Sequence, residues 1–271
     1  MIAKEKLNIL WSLEQTAEKY ADRVAVSDVN QELTWKELVK KAQVIGAELS
    51  EKVQPGNPVP VLLEKSSETL AVMLGIVYAG CFYVPVNPMN PTERLRKIME
   101  KLDPEVIISD EKGKEQLAAV GNGLENKVMG PEALTTATGT ELSEEQYSRL
   151  EQIQGQWKET DVLYGIFTSG STGTPKAIVV SHGAASRFIR HFTEIFEITS
   201  ADVIGNQAPF DFDVSVKDIY SSIMTGAQLV LIPKEYFSTP PRLLDYLCDK
   251  KVTNLTWAVS ALTLVSALKG L

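Results

Sequence analysis

Cysteine, histidine and long apolar runs are scarce in this sequence, and each scarcity excludes a class of protein. The 271 residues include two cysteines and two histidines. Cys81 and Cys248 lie far apart in apolar or helix-like surroundings, so we expect reduced thiols rather than a disulfide framework. His182 and His191, without a cysteine cluster, provide no zinc ligand set. No segment reaches the roughly 18 uninterrupted apolar residues that a membrane span requires.

Basic residues are also fewer than acidic residues. The 27 Lys and Arg residues are outnumbered by 35 Asp and Glu residues, which gives a formal net charge of −8. The basic residues are scattered among acids, so a nucleic-acid partner is not expected. Residues 1–20 carry charges throughout and lack the apolar block and cleavage site of a signal peptide. We therefore expect a cytoplasmic globular protein, whose 44% hydrophobic residues suffice for a sizeable core.

The first 111 residues alternate between helical and strand patterns. Thr34 and Glu37 form a capping box that opens one helix, and Pro91 suits the first turn of another, behind Asn90 as its cap. Strands interleaved with helices of ten or more residues indicate a parallel sheet with crossover helices. The predicted helices cover 7–20, 38–49, 67–78 and a segment from 91, and the predicted strands cover 23–26, 32–35, 59–63, 82–86 and 106–109.

The remaining residues predict a second lobe after a connection. Residues 112–158 have weak periodicity apart from a possible helix around 144–153, so we interpret 1–111 as a first α/β lobe, 112–158 as a connecting segment and 159–271 as a second α/β lobe. The fold class is α/β, with two lobes that each contain a largely parallel sheet flanked by helices. In the second lobe the predicted strands are 161–168, 177–181, 228–233 and 254–258, and the helices are 184–196, 214–224, 240–249 and a final one.

Residues 168–176, TSGSTGTPK, form a segment dense in hydroxyl groups and glycine. Gly170 and Gly173 permit backbone N–H groups to converge on phosphate oxygens, and Lys176 adds a compact positive charge. A solvated hairpin loop would use similar residues. The segment differs from the Walker pattern, because the lysine comes three residues after its glycine and a strand is predicted to follow. Short hydroxyl donors come from Thr168, Ser169, Ser171, Thr172 and Thr174.

This string resembles the signature of the adenylate-forming superfamily, which includes acyl and aryl ligases, luciferases and peptide-synthetase adenylation domains. Residues 33–38, LTWKEL, residues 78–88, YAGCFYVPVNP, and residues 226–230, GAQLV, resemble further elements of that family in order and spacing. Asn87 stands where the family usually has Asp, and Ala177 where it usually has Gly. The resemblance covers nearly the whole chain and implies the N-terminal portion of the adenylate-forming fold.

The resemblance also implies a chemistry. ATP with Mg²⁺ would be the cofactor, and a substrate carboxylate would attack the α-phosphate to give an acyl-adenylate before transfer to a thiol. Thr168 and Lys176 are implied as catalytic residues. The nucleotide-binding residues implied are Thr168, Ser169, Gly170, Ser171, Thr172, Gly173 and Lys176.

The segment 212–216, FDVSV, is similar to an element of the amino-acid-activating members. In that branch the aspartate pairs with the substrate's α-ammonium group, which implies this role for Asp213; a helix N-cap is the alternative, and Asp211 is a second candidate by its chemistry. Trp257 falls where the family builds its pocket wall, although a strand tryptophan can equally be core, and Val259 replaces a family proline nearby. Residues 208–216, APFDFDVSV, and the early Met1 resemble a stand-alone D-alanine to carrier-protein ligase more than an internal peptide-synthetase module, although peptide-synthetase adenylation domains share most of this string.

The later elements of the family, including the adenine-binding string and the C-terminal domain, do not occur before Leu271. We therefore expect an incomplete N-terminal fragment that is not competent for full turnover. The predicted partners are an amino acid and a carrier protein with a phosphopantetheine thiol. Two alternatives stay open, namely an acyl- or aryl-CoA ligase and a non-catalytic nucleotide-binding fragment; a phosphate-loop NTPase would need a helix directly after Lys176.

Overall fold

A computed structural model describes residues 7–136, 141–168 and 175–267. These residues form helices and strands in alternation, as the sequence predicts. The helices are α1 (Ile9–Tyr20), α2 (Trp35–Ser50), α3 (Ser67–Tyr78), α4 (Thr92–Leu102), α5 (Glu111–Val120), α6 (Pro131–Thr136), α7 (Glu144–Gly155), α8 (His182–Ile195), α9 (Val214–Thr225), α10 (Pro240–Asp249) and α11 (Val259–Ala267), with 3-10 turns at Leu124–Lys127 and Lys234–Ser238. The strands are β1 (Val24–Ser27), β2 (Glu32–Thr34), β3 (Pro58–Leu62), β4 (Phe82–Pro85), β5 (Ile107–Ser109), β6 (Val128–Met129), β7 (Val162–Thr168), β8 (Lys176–Ser181), β9 (Val203–Asn206) and β10 (Gln228–Leu231).

The described residues divide into two compact units. The first unit contains residues 7–11 and 39–186, and the second contains 12–38 and 187–267. These boundaries differ from those of the predicted lobes. The segment 112–158 supplies β6 and most of α5, α6 and α7 to the first unit instead of forming a plain connection.

The first unit is built on a six-stranded sheet in the order β6-β5-β3-β4-β7-β8. All neighbouring pairs are parallel except β7 with β8, which is antiparallel. Helix α3 is buried on nearly every side, which agrees with its almost uninterrupted apolar sequence. A core cluster joins β3, β4, β5, α4 and α5 through Leu62, Val84, Val86, Leu95, Ile98, Met99, Ile107 and Leu117.

The second unit contains a four-stranded sheet in the order β2-β1-β10-β9. The pairs β1 with β10 and β10 with β9 are parallel, and β1 with β2 is antiparallel. Two largely parallel sheets flanked by helices confirm the predicted fold class. None of the helices in the described segments has the length and apolar character needed to cross a membrane.

Several local predictions are confirmed and others are wrong. The capping box forms, since the Glu37 carboxylate accepts from the Thr34 N–H at 2.8 Å and the Glu37 N–H donates to the Thr34 hydroxyl at 3.2 Å. Pro91, however, is itself the N-cap of α4, without a side-chain cap. The predicted strand 254–258 reduces to one bridge between Asn254 and Ile204. Both cysteines are free thiols.

Two glycines bring α2 and α3 of the first unit into direct contact. A Cβ atom on Gly46 would lie 2.5 Å from Cβ of Tyr78, and one on Gly75 would lie 2.4 Å from Cγ2 of Ile45. Both distances are far shorter than van der Waals contact between carbon atoms. Residues without a side chain are therefore required at both positions for this packing.

Gly226 ends α9 in the second unit. Its φ of +79° lies in the left-handed region, and its N–H donates to the Ser222 carbonyl oxygen at 2.9 Å. A Cβ atom at this position would lie 2.4 Å from the Tyr20 ring. Glycine is required here both for its backbone conformation and for the close approach of the ring.

Replacement of Gly226 with Ala is expected to lower the free energy of unfolding by about 2–4 kcal/mol, because backbone strain and overpacking add. Gly56→Ala is the matched control, since Gly56 has φ +87° but open space around its Cβ position; this change should cost only about 1–2 kcal/mol. Urea denaturation measures both. Equal losses for the two variants would contradict a role for the Tyr20 contact.

Candidate nucleotide and substrate site

The hairpin of β7 and β8 carries the segment predicted to bind phosphate. In its register Thr168 pairs with Lys176, so these two residues are the last ladder pair before the connection. Both side chains are exposed. The predicted nucleotide-binding residues Ser169, Gly170, Ser171, Thr172 and Gly173 lie outside the described residues, and their role stays a prediction.

Thr168 at the end of β7 and Lys176 at the start of β8 lie at the carboxyl edge of the parallel strands. Strand β7 runs parallel to β4, and β4 runs parallel to β3, so the end of β7 shares an edge with the ends of both. Open α/β sheets bind ligands at this edge. The residue at the start of β8 is Lys176, so a strand and not a helix follows the loop. The context of a Walker motif is therefore not present at Lys176.

Asp213 lies at the N-cap position of α9 in the second unit. Its backbone is helical, with φ −58° and ψ −25°, and its side chain makes no capping hydrogen bond. The carboxylate is exposed, and within the described residues no hydrogen bond or ion pair engages it. Asp213 thus occupies the N-cap position that the alternative prediction gives it, but its side chain does not cap the helix. Asp211, the second candidate, is only partly exposed and makes other interactions.

Lys217, one helical turn after Asp213, is a residue that the sequence analysis did not identify. Its ammonium group donates to the carbonyl oxygens of Val214 and Thr256, both at 3.1 Å. The ammonium lies 4.0 Å from the Asp218 carboxylate, and 13% of the Lys217 side chain is exposed. Burial lowers the pKa of Lys217, while the charges of Asp218 and Asp213 act in the opposite direction. The sequence signal for Lys217 is its spacing of four residues from Asp213, which places both side chains on the same side of a helix.

Trp257 lies in the core of the second unit. It is 8% exposed, and its indole N–H donates to the Gly205 carbonyl oxygen at 3.1 Å. Its ring packs edge-on against Phe237, with centroids 5.2 Å apart. The polar atom of Trp257 is thus used within the fold, and contact of its ring with a substrate stays a prediction.

His182 connects the start of α8 to the start of α1 within the first unit. It is 2% exposed, its Nδ1 atom accepts from the Ile9 N–H at 3.3 Å, and its ring stacks on Trp157 at 6.0 Å. Burial lowers the pKa of His182 to about 4, although the charge of Asp161 opposes this shift. The imidazole is therefore neutral at pH 7, as an accepting Nδ1 requires.

The described residues contain no cluster of three or more His, Cys, Asp or Glu side chains that could hold a metal ion. A magnesium ion that arrives with ATP takes most of its ligands from phosphate oxygens and water. Such an ion needs few protein ligands, so the described residues are compatible with MgATP.

The family assignment follows from comparison with known proteins. The family model described as AMP-binding enzyme matches residues 13–269, so the chain belongs to that family of adenylate-forming enzymes. Enzymes of this kind use ATP. The assignment agrees with the string TSGSTGTPK and with the strand that follows it.

Three curated relatives illustrate the family. Tyrocidine synthase 1 of Brevibacillus parabrevis is 30% identical over 92% of this chain and 22% of its own length. Gramicidin S synthase 2 of Brevibacillus brevis is 30% identical over 85% of the chain and 5% of its length. The D-alanine to D-alanyl carrier protein ligase of Staphylococcus epidermidis is 31% identical over 87% of the chain and 44% of its length. The chain thus spans less than half of each of these relatives.

Solved structures confirm the fold. The nonribosomal peptide synthetase FmoA3 in its AMPPNP-bound form has a TM-score of 0.82 at 24% identity, over 97% of this chain and 27% of that one. VinN in complex with L-aspartate has a TM-score of 0.81 at 22% identity, over 96% of this chain and 64% of that one.

The neutral state of His182 predicts a pH dependence of stability. Its pKa in the folded protein, about 4, lies below the ordinary 6.5, so the unfolded chain takes up a proton first as the pH falls. Stability is therefore full above pH 6.5 and is lost between pH 6.5 and 4, by up to about 3 kcal/mol.

Urea denaturation between pH 7.5 and 4 measures this loss. His182→Asn keeps an acceptor for the Ile9 N–H but cannot titrate, so its unfolding free energy should fall less over this range. His191→Asn, at an exposed position of α8, is the control and should follow the unchanged protein. Parallel curves for the protein and His182→Asn would refute the assignment.

Proposed function

We propose that this chain activates an amino acid with ATP as an aminoacyl-adenylate, for transfer to the phosphopantetheine thiol of a carrier protein in the cytoplasm. The observation that carries the proposal is the exposed Asp213 carboxylate at the start of α9, which no described side chain pairs. A carboxylate in this state can bind the α-ammonium group that distinguishes amino acids from other carboxylic acids.

The nucleotide would be bound by the hairpin of the first unit. Pairing of Thr168 with Lys176 fixes both ends of a glycine- and hydroxyl-rich connection, whose backbone N–H groups can surround phosphate oxygens. The Lys176 ammonium would neutralise charge on the β- and γ-phosphates, and Thr168 would add a hydroxyl donor. Mg²⁺ bound to the same phosphates would neutralise more of this charge.

The first chemical step is attack on the nucleotide. An oxygen of the amino acid carboxylate forms a bond to the α-phosphorus, the bond from that phosphorus to the bridging oxygen breaks, and pyrophosphate leaves. The protein needs to position the reacting groups and to stabilise developing negative charge, and it needs no covalent intermediate of its own. Asp213 would contribute to positioning through the substrate ammonium.

The second step is acyl transfer. The carrier thiol attacks the carbonyl carbon of the adenylate, loses its proton, and AMP leaves. The similarity to peptide synthetases and to a carrier-protein ligase supports this acceptor. Because those relatives are more than twice as long as the aligned segment, the complete two-step reaction is proposed for the protein together with the later family elements.

An acyl- or aryl-CoA ligase is the second candidate. It needs no ammonium partner, so Asp213 would have no substrate contact in that case. The curated similarity to D-alanine ligase and to tyrocidine synthase favours amino acids. A non-catalytic nucleotide-binding fragment would retain ATP binding but would bind no amino acid.

Lys176→Met tests the nucleotide site. The change removes one charge-assisted contact to phosphate, which corresponds to roughly 10- to 100-fold weaker binding of MgATP. Isothermal titration calorimetry measures the affinity. Lys158→Met, at an exposed position of the same unit, removes the same charge and should bind as before. Equal affinities for both variants would eliminate Lys176 from the site.

Asp213→Asn tests the substrate site. The variant keeps the size of the side chain but loses the charge, so amino acids should bind about 10- to 100-fold more weakly while MgATP binds as before. Calorimetry with D-alanine and a panel of L-amino acids gives both affinities. Asp211→Asn is the matched control for the second candidate. Equal losses of amino acid and ATP binding would reject the role of Asp213.

A further inference from the structure

The C-terminal half of α8 carries a row of apolar side chains on the surface of the second unit. Phe188, Ile195 and Phe196 are 54%, 60% and 54% exposed. The ring centroids of Phe188 and Phe192 lie 5.9 Å apart, and those of Phe192 and Phe196 lie 4.6 Å apart. Three of the eleven large apolar side chains that are exposed among the described residues thus fall within residues 188–196. Together with Phe192 they form one patch, the apolar row, and not isolated surface residues.

The apolar row is not the side by which α8 packs in its own fold. Ile189 and Thr193, four residues apart on the helix, are both buried and form its core-facing side. The row lies beside them and is directed to solvent. The exposed aromatic rings are therefore unnecessary for the attachment of α8, and they offer a surface for a second molecule.

Two opposite charges flank the apolar row. Arg187 and Glu194 are both exposed. Their separation of seven residues is close to two helical turns, so both lie on the same side of α8, about 10 Å apart along its axis.

This pattern of charges is complementary to itself. When two copies of a helix pack antiparallel about a twofold axis, a residue before the axis meets the residue equally far beyond it on the other copy. With the axis midway between them, Arg187 of each copy faces Glu194 of the other. Two such pairs form at once, and a parallel arrangement would not bring these residues together.

The area of the apolar row fits a second copy of this chain. From the exposed fractions and about 200 Å² per aromatic side chain, each copy offers roughly 300 Å² of apolar surface. Two copies would bury roughly 600 Å², about half of the ~1,200 Å² at the lower end of specific interfaces. Interfaces are a little over half apolar, so flanking polar residues can supply the rest. The area is that of a weak dimer, with a dissociation constant on the order of 10–100 µM.

We propose that the exposed side of α8 is a self-association surface, on which a second copy of this chain docks antiparallel about a twofold axis. The apolar row of each copy packs against that of the other, and two pairs of Arg187 with Glu194 close its edge. The inference is independent of the proposed function, since none of these residues is assigned to the nucleotide or the amino acid.

Sedimentation velocity of the chain, from about 2 to 200 µM, tests the association. The sedimentation coefficient should rise with concentration from that of a monomer to that of a dimer. Ile195→Ser and Phe188→Ser should each weaken the dimer at least tenfold, because both copies lose apolar area. Val29→Ser, at another exposed apolar position of the second unit, is the matched control and should associate as before.

Charge exchange tests the antiparallel arrangement. Arg187→Glu and Glu194→Arg each place like charges opposite one another, so each variant alone should associate about three- to tenfold more weakly. The double variant restores both pairs and should associate like the unchanged chain. An equimolar mixture of the two single variants should also associate, since each supplies the charge that the other needs. Lys36→Glu, at an exposed position of the same unit, changes the net charge equally and should have no effect.

Each remaining outcome overturns the inference. A chain that stays monomeric over the whole range shows that the apolar row serves a partner of another kind. Association that persists in both serine variants lies on another surface, and association that continues beyond the dimer is non-specific. If the mixture of charge variants associates no better than either variant alone, the copies do not pack antiparallel through α8. Far-ultraviolet circular dichroism verifies that each variant is folded before the constants are compared.

Discussion

Antiparallel pairing of β8 with β7 is the constraint on which the arrangement of the first unit's candidate site depends. Strand β7 enters the sheet parallel to β4, and the return of the chain along β8 holds both ends of the connection at the carboxyl edge. The paired residues Thr168 and Lys176 are fixed by backbone hydrogen bonds. Their side chains can therefore be exposed without loss of position, which a site on a longer loop would not achieve.

The start of α9 carries two side chains of opposite charge, Asp213 and Lys217. Asp213 is exposed and unpaired by described residues, whereas Lys217 is largely covered and gives its N–H groups to carbonyl oxygens. These oxygens and Asp218 replace part of the hydration that the ammonium loses, and burial lowers the pKa of Lys217 against the opposing charges of Asp218 and Asp213. Opposite charges in one helical turn thus have different environments. Asn206, at the end of β9, links this turn to the sheet through Asp218.

The sequence predicts the elements whose local pattern and burial agree. The capping box at Thr34 and Glu37 predicts α2, and the bounds predicted for α3, 67–78, are confirmed. Strand β9 is not predicted, because only Val203 and Ile204 of its four residues favour a strand, and pairing with β10 stabilises it. The predicted strand at 254–258 is wrong, since Leu255 and Trp257 pack in the core of the second unit and only Asn254 bridges to a strand.

Sequence motifs predict individual residues of the candidate site, but they do not predict contacts between residues that are distant in the sequence. The string at 168–176 and the segment at 212–216 predict hydroxyl, lysine and aspartate groups of the candidate site. They do not predict the contact of the Lys217 ammonium with the Thr256 carbonyl oxygen. That contact joins residues 39 positions apart, and no local pattern reports it. The same limitation applies to His182, whose burial depends on Ile9 and Trp157 from distant parts of the chain.

The close contact between α2 and α3 limits the substitutions that the first unit tolerates. Because Gly46 faces Tyr78 and Gly75 faces Ile45 on the opposite helix, the two helices are closer than side chains at both glycine positions would allow. A methyl group added at either glycine must displace the facing residue or the helix that carries it. The contact therefore fixes the distance between these two helices. A larger residue at either glycine position requires a compensating change in the opposite helix.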